Sequence, residues 1–186
     1  MGDMALKLNL GCGQKYLSGY VNCDVLPHVK ADRYFDLNRF PYPFAADSAD
    51  EVWMDNVLEH LDDVVAVMGE LHRILRPGGR ARLLVPYAKS DWAYQDPTHK
   101  HFFTEASMNY FCDGWDYSYY VPFRFRLIAA RLYADRNNLR QRLRCLIPFR
   151  PVLRYFLFNL YDGIYFELEK LAAAPAAASS SVPFNR

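Results

Sequence analysis

The chain has 186 residues, 52% of them hydrophobic, which suits one domain of ordinary size with a substantial core. Its net charge of +1 suggests no polyanionic partner, and its four cysteines show neither a C-x-x-C pair nor zinc-ligand spacing. We therefore expect a reduced, cytosolic protein. We find no secretory signal, and no apolar run reaches the roughly 18 residues that a membrane-spanning helix needs.

Hydrophobic periodicity predicts a parallel α/β sheet in the first half of the chain. The predicted strands lie at residues 6–10, 20–25, 31–37, 50–54 and 80–85. One clear helix is predicted at residues 62–75, where apolar residues recur at helical spacing, and Pro77, Gly78 and Gly79 end it. Strands separated by crossovers imply parallel pairing.

The pattern changes after Pro86. Residues 87–120 are rich in aromatic residues, Asp and His, with a helix predicted at 105–111, and residues 139–160 are basic, aromatic and partly helical. Further strands are predicted at residues 125–133 and 163–171. We expect a single domain over residues 1–171 with an insertion at about 87–162, and a flexible Ala/Pro/Ser tail at 172–186.

A glycine turn, Gly11-Cys12-Gly13, follows the first predicted strand directly. Glycines there permit backbone turns that side chains forbid, and they let a ligand lie against the main chain. The dinucleotide fingerprint would need a third glycine where Tyr16 stands, and the path to Asp24 is too short for a comfortable helical crossover. A ligand without phosphates therefore fits better than NAD or a nucleotide sugar, and Asp24 is placed to accept the hydroxyls of a ribose.

Five short segments, taken together and in order, resemble class I S-adenosylmethionine-dependent methyltransferases, most closely the small type-11 group. They are L-N-L-G-C-G at 8–13, N-C-D at 22–24, F-D-L at 35–37, V-L-E-H-L at 57–61 and R-I-L-R-P-G-G at 73–79. The resemblance implies a Rossmann-like, seven-stranded, mostly parallel sheet with helices on both faces. It implies an antiparallel last strand, supplied by residues 125–133 and 163–171. It also implies methyl transfer, with S-adenosyl-L-methionine as cofactor and S-adenosyl-L-homocysteine as product.

Carried over residue by residue, the resemblance also implies a cofactor site. The glycine turn would contact the methionine part of the cofactor, Asp24 its ribose, and the pair Asp36 and Leu37 its adenine. The predicted cofactor-binding residues are Asn9, Leu10, Gly11, Cys12, Gly13, Asp24, Val25, Asp36, Leu37, Asn56, Val57 and His60. The N-terminal helices usual in the family are missing here, so we expect the insertion after Pro86 to cover the cofactor as a lid.

Residues suited to catalysis follow the fifth predicted strand, where ligands bind in such sheets, in the segment D-P-T-H-K-H at 96–101. A histidine can take a proton from an acceptor hydroxyl while a carboxylate orients it or binds the acceptor. We therefore predict Asp96, His99 and His101 as catalytic residues. The alternative is that Asp96 caps a turn and one histidine packs under the lid. Asp and His also bind metals, but no further ligand is evident and no metal is predicted.

Charge is concentrated in residues 122–155, which hold nine arginines and one acid. Neighbouring aromatic residues make this segment resemble one that binds anionic headgroups at a membrane surface. We expect a cytoplasmic protein with peripheral contact to the inner membrane face through this segment. A homodimer face or a solvated surface is the alternative, and no recognised module accompanies the charge to indicate nucleic acid.

The sequence therefore predicts a methyltransferase for a small-molecule or glycan acceptor, with O-methylation of a hydroxyl favoured. Two alternatives stay open. One is N-methylation of an amino sugar or small amine, which needs less base catalysis. The other is a catalytically silent cofactor-binding subunit that scaffolds a partner.

Overall fold

The computed structural model describes residues 5–115, 118–137 and 139–171, so the predicted tail lies outside the described residues. Seven strands of this part of the chain form one sheet in the order β3-β2-β1-β4-β5-β7-β6. The strands are β1 (Lys7–Leu10), β2 (Val21–Asp24), β3 (Arg33–Tyr34), β4 (Ala49–Asp55), β5 (Leu75–Pro86), β6 (Phe125–Tyr133) and β7 (Gly163–Lys170). The α-helices are α1 (Val64–Ile74), α2 (Leu139–Arg144) and α3 (Arg150–Leu153), and short 3-10 helices lie at Leu58–His60, Asp91–Ala93, Ser107–Phe111 and Ser118–Tyr120.

The pairing directions confirm the predicted sheet. Strands β1 to β5 pair in parallel, whereas β7 runs antiparallel to both β5 and β6. Strand β6 has the predicted bounds, but β3 is reduced to two residues because Asp36 turns the chain by accepting a hydrogen bond from Asn38 N at 2.9 Å. The helix predicted at 105–111 is a shorter 3-10 helix.

Helix α1 forms for the reasons its sequence suggests. Asp63 caps its N-terminus by accepting a hydrogen bond from Ala66 N at 2.9 Å, and Arg73 lies in the last turn, where a cation is favoured. Four apolar residues of α1 face the core and are fully buried; they are Val67, Met68, Leu71 and Ile74. The extended conformation of Leu75 ends the helix and begins β5 directly.

The two faces of the sheet differ in character. On one face the paired residues of β1, β4, β5 and β7 form a fully buried core, which includes Leu8, Val52, Met54, Ala81, Leu83, Phe166 and Leu168. On the other face Arg82 Nη1 lies 3.3 Å from Glu51 Oε1, and its Nε lies 3.8 Å from Glu167 Oε1. Opposite charges on neighbouring strands thus stabilise the face that apolar packing leaves open.

The connection from β1 to β2, residues 11–20, contains no helix, as its length predicts. A buried amide network orders it instead. Asn9 Nδ2 donates to Asn22 Oδ1 and to Lys15 O, both at 2.8 Å, and Leu17 N donates to Asn22 Oδ1 at 2.8 Å. Asn22 Nδ2 in turn donates to the carbonyls of Leu17 and Tyr20, both at 3.0 Å. These bonds satisfy backbone groups that a crossover helix would otherwise pair internally.

None of the helices in the described part of the chain is long and apolar enough to cross a membrane.

Replacing Asn22 tests this network. Asn22→Ala should lower the free energy of unfolding by on the order of 3 kcal/mol, because it leaves several buried donors and acceptors without partners. Urea unfolding measures the change. Gln14→Ala removes an exposed side chain of the same connection and should stay within about 0.5 kcal/mol of wild type. Equal stability of the two variants would contradict the proposed role of the amide network.

Candidate cofactor and reaction site

The glycine turn after β1 is held close to the end of β4. Gly11 and Gly13 have φ of 70° and 50°, in the left-handed region that favours glycine. A Cβ added at Gly11 would lie 2.6 Å from a methyl group of Val57, so only glycine lets the two segments meet. A Cβ at Gly13 would have no described atom within 4 Å, which leaves the turn open on the ligand side.

Asp24 is oriented by two backbone amides at the end of β2. Gly13 N donates to its Oδ2 at 2.8 Å and Leu26 N donates to its Oδ1 at 3.0 Å. Each carboxylate oxygen keeps a further lone pair. The arrangement therefore ties the glycine turn to a fixed acceptor that suits a pair of ribose hydroxyls.

An open groove of about 520 Å³ extends from the region beside Asp24 toward the end of β3. Its lining residues combine apolar surface with one carboxylate and one guanidinium; they are Val25, Phe35, Asp36, Arg39, Pro41 and Pro43. Such a groove suits a planar base with polar edges. Val25 and Asp36, both predicted to contact the cofactor, line it together.

Besides Asp24 and Val57, four predicted cofactor residues, Asn9, Leu10, Cys12 and Leu37, have buried side chains. The amide of Asn9 is used within the β1–β2 connection, and the Leu37 side chain belongs to the core. Their side chains support the site from inside the protein, so only their backbone N–H and C=O groups can contact a ligand directly. The sequence prediction grouped these buried residues with the exposed residues of the motif, because the motif does not show which side chains are buried.

Asn56 and Val57 follow β4 at the same edge of the sheet. Asn56 adopts φ of 53°, and its backbone N–H donates to Leu84 O at 2.8 Å. Its side-chain Oδ1 is buried and has no hydrogen-bond partner among the described residues. Asp55, beside it, pairs with Lys15 of the β1–β2 connection, with 2.7 Å between Nζ and Oδ2. The cofactor residues from three strand ends thus lie along one edge.

The segment 96–101 packs directly on the V-L-E-H-L segment. Lys100 N donates to the carbonyl of Glu59 at 2.8 Å, which places the rings of His60 and His99 with their centroids 4.7 Å apart. His99 Nε2 lies 3.9 Å from Glu59 Oε1 and 4.0 Å from Asp96 Oδ2. Two imidazoles and two carboxylates therefore meet beside the cofactor residues.

Burial sets the protonation behaviour of this cluster. It raises the pKa of the Glu59 carboxyl to about 7, and the nearby charges of Asp55 and Asp96 add to the effect. Burial also lowers the pKa of His60, with His99 contributing. Asp96 behaves oppositely, because hydrogen bonds from the hydroxyl and the amide of Thr98, at 2.7 and 2.8 Å, hold its pKa below the usual range.

The three predicted catalytic residues do not all converge. His99 and Asp96 face each other, whereas His101 directs Nε2 to the carbonyl oxygen of Leu61 at 2.9 Å. Asp96 also caps a turn at Thr98, as the alternative interpretation expected. Glu59 was missing from the predicted catalytic set. The sequence did contain a feature that points to Glu59, because it is an acidic residue in a segment whose apolar residues Leu58 and Leu61 are buried.

A second cavity, of about 460 Å³, lies between residues 91–95 and 141–162. Trp92, Gln95 and Phe158 line it, together with the ion pair of Arg144 and Asp162, in which Nη1 donates to Oδ1 at 2.9 Å. The cavity combines an aromatic surface with polar groups. It is built by the insertion that the sequence separates from the sheet.

A family model of the type-11 methyltransferase domain matches residues 28–83. One similar solved structure is a complex between the Haloferax volcanii Trm112 methyltransferase activator and a methyltransferase. The matched chain shares 17% identity with this protein over 91% of this chain and 84% of its own, with a TM-score of 0.60. A SAM-dependent methyltransferase from Archaeoglobus fulgidus shares 14% identity over 89% of this chain and 86% of its own, with a TM-score of 0.62.

Haemonchus contortus phosphoethanolamine N-methyltransferase 2, solved with phosphomonomethylethanolamine and S-adenosylhomocysteine, is also similar. It shares 13% identity over 92% of this chain but only 50% of its own, with a TM-score of 0.56. At these identities the solved structures show a common fold. No curated protein matches this sequence.

The sheet order and the strand-edge site define a protein of the class I methyltransferase fold. With the match of the type-11 family model to residues 28–83, they support an S-adenosylmethionine-dependent methyltransferase with S-adenosyl-L-methionine as its cofactor. The predicted resemblance to type-11 methyltransferases, the enzyme class and the cofactor are therefore confirmed.

Calorimetric titration of Asp24→Asn tests the geometry of the cofactor site. The variant should bind S-adenosylmethionine at least about tenfold more weakly, a loss of about 1.4 kcal/mol, because it removes the charged acceptor and the bond to one of the two amides. Asp113→Asn changes an exposed acid near β6 and should bind like wild type. Unchanged affinity in Asp24→Asn would show that the carboxylate does not hold the cofactor.

Proposed function

We propose that this protein transfers a methyl group from S-adenosylmethionine to a hydroxyl of a small-molecule or glycan acceptor. The observation that carries the proposal is the histidine–carboxylate cluster around His99, packed against the segment that continues from Asn56 and Val57. When bound, the cofactor supplies the methyl group on a sulfonium leaving group. The chain must then hold the cofactor, align the acceptor, exclude water and receive a proton.

Asp24 and the groove beyond it would hold the nucleoside end of the cofactor. The open side of Gly13 would face the rest of it, and the unpaired Oδ1 of Asn56 offers an acceptor at the neighbouring strand end. These groups are supported by backbone bonds and by the buried amide pair beneath the turn. They can therefore align the cofactor without rearrangement.

The cluster favours oxygen over nitrogen as the methyl acceptor. A hydroxyl becomes a good nucleophile when its proton is removed, whereas a neutral amine attacks through its own lone pair. His99 is a buried imidazole with Nδ1 bound to the carbonyl of Ala93 at 3.0 Å, and its Nε2 faces Glu59 and Asp96 without a hydrogen bond. His101 offers a second ring nearby, with Nδ1 left open by the bond from Nε2 to Leu61. Such a set of groups suits removal of a proton.

We further propose that the insertion at 87–162 forms a lid and an acceptor pocket within a single domain spanning residues 1–171. Support comes from the cavity of about 460 Å³ built by this insertion and lined by Trp92 and Gln95. Ala93, between them, provides the carbonyl that orients His99. An aromatic surface beside amide and carboxylate groups suits the apolar face and hydroxyl edge of a sugar.

Single substitutions of the two histidines test the reaction chemistry. His99→Ala and His101→Ala should each lower kcat for a hydroxyl acceptor, and by about 100-fold or more for His99→Ala, because proton removal in the transition state loses its partner. A methyl-transfer screen across sugars, other alcohols and amines identifies the acceptor before the variants are compared.

His28→Ala, which removes an exposed histidine of the β2–β3 connection, is the matched control and should keep wild-type turnover. Binding of S-adenosylmethionine, measured on all variants, must stay unchanged for the comparison to concern chemistry. If both His99→Ala and His101→Ala retain full turnover, the proposed role of these histidines is wrong. Turnover confined to amines would replace O-methylation by N-methylation.

We also propose that the basic aromatic segment at residues 122–155, with Phe156 beside it, contacts an anionic membrane surface. This segment carries large apolar side chains in solvent, with Leu146 76%, Phe149 78% and Phe156 80% exposed. Its arginines divide into two groups. Arg144 pairs with Asp162 and Arg154 with Glu105, so these charges are used inside the protein. The exposed arginines nearby, Arg131, Arg136 and Arg142, are the ones available to headgroups.

Cosedimentation with vesicles tests the membrane proposal. Wild type should bind vesicles of equal parts phosphatidylglycerol and phosphatidylcholine, and bind less at high salt, because apolar burial and charge act together. The triple variant Leu146→Ser, Phe149→Ser, Phe156→Ser should lose binding by about tenfold or more. Val65→Ser, a substitution of one exposed apolar residue on α1, is the control. Absence of wild-type binding, or a homodimer that the triple variant dissolves, would contradict the proposal.

A further inference from the structure

Three metal-ligating side chains converge at the V-L-E-H-L segment, and only one of them, His99, belongs to the predicted catalytic set. Glu59, His60 and His99 each offer one ligand atom, and these atoms lie within 4.8 Å of one another. Glu59 and His60 belong to the 3-10 helix Leu58–His60, whereas His99 comes from the loop after β5. The bond from Lys100 N to Glu59 O joins the two segments. Tertiary structure thus assembles a set that is not contiguous in sequence.

The tautomer of His99 follows from its partner. Its Nδ1 lies 3.0 Å from the carbonyl oxygen of Ala93. A carbonyl only accepts hydrogen bonds, so Nδ1 carries the hydrogen, and in the neutral ring Nε2 keeps a lone pair. That nitrogen lies 3.9 Å from Glu59 Oε1, too far for a hydrogen bond between them. Nε2 therefore faces a carboxylate with nothing joining the two.

His60 is oriented in the same way through one intermediate group. Its Nδ1 lies 2.9 Å from Thr98 Oγ1, which lies 2.7 Å from Asp96 Oδ1. An ionised carboxylate only accepts, so Thr98 donates to Asp96 and accepts from Nδ1 of His60. This leaves Nε2 of His60 with a lone pair. A chain from carboxylate to imidazole is the arrangement that supports histidine ligands of metal sites.

Glu59 supplies the independent observation. Its side chain is 0% exposed, and neither carboxyl oxygen has a hydrogen-bond partner among the described residues. A buried carboxylate without a donor is costly, and the lone pair of His99 Nε2 facing it at 3.9 Å adds to the cost. An electron-poor occupant would satisfy all three groups at once.

We infer that Glu59, His60 and His99 form a binding site for one divalent transition-metal ion. Two histidines and one carboxylate are a ligand set that imidazole-preferring metals use, with coordination positions left open. Bonds of about 2.0–2.2 Å at tetrahedral angles place ligand atoms about 3.4 Å apart, so ligand atoms that now lie within 4.8 Å of one another must move together by about 1 Å. The set differs from Asp96, His99 and His101, which sequence proximity alone suggests, because His101 binds the carbonyl of Leu61.

Its catalytic consequence rests on the proposed function. A hydroxyl bound at an open position of the ion loses its proton to solvent more readily, since the cation stabilises the alkoxide. The oxygen then forms a bond to the methyl carbon as the carbon–sulfur bond breaks, and sulfur keeps that electron pair. With the ion bound, His99 acts by holding it, and the proton-accepting role proposed above for its Nε2 applies to the metal-free protein.

Metal titration of the full-length protein tests the site. After dialysis against EDTA, calorimetry with Zn²⁺ and Mn²⁺ should show one ion per chain, with Mg²⁺ binding more weakly because imidazole ligands disfavour it. Glu59→Gln and His99→Ala should each weaken Zn²⁺ binding by about tenfold to 100-fold or more. His101→Ala and His28→Ala keep all three ligands and should bind Zn²⁺ like wild type.

Circular dichroism and S-adenosylmethionine binding, measured on the same samples, show that the variants are folded. Co²⁺ added to the metal-free protein should give visible absorption bands that Glu59→Gln removes. Failure of wild type to bind Zn²⁺ or Mn²⁺ tighter than millimolar, or equal affinity in wild type and Glu59→Gln, overturns the inference. The metal readouts need no acceptor and no turnover, so they test the ion site even if the O-methylation screen fails.

Discussion

The hydrogen bond between the buried amides of Asn9 and Asn22 supports the whole cofactor edge of this protein. Parallel strands normally require a long crossover, usually helical, yet ten residues join β1 to β2 here. The two amides provide the donors and acceptors that such a helix would contribute. Because they order the connection, the amide of Gly13 reaches Asp24, and a turn becomes a ligand site.

The end of β4 connects the proposed cofactor site to the proposed reaction site. Val57 contacts Gly11 of the glycine turn, and two residues later Glu59 enters the histidine cluster. A displacement of this short segment would therefore move both sites together. The carboxyl group of Glu59 in this segment is buried without a hydrogen-bond partner among the described residues, which costs stability. The divalent ion inferred above would provide that partner.

The insertion combines internal order with an unusual surface. Arg144 and Arg154 form ion pairs that attach it to Asp162 and Glu105, while Phe149 and Phe156 remain in solvent. Exposed aromatic side chains on a segment anchored by charge pairs are more consistent with a contact surface than with an unfinished core.

By itself, the sequence determined the strands, the long helix α1 and the strand-edge motif, because hydrophobic periodicity and glycine geometry are local properties. Residues 125–133 were predicted with their observed bounds, and Asp24 with its place at a strand end. Only the tertiary structure decided that Asn9 supports the site from below, that His101 turns to Leu61, and that Glu59 faces His99. Each of these outcomes depends on contacts between segments that are far apart in the sequence, and on how far those contacts exclude water. The local sequence pattern does not specify either.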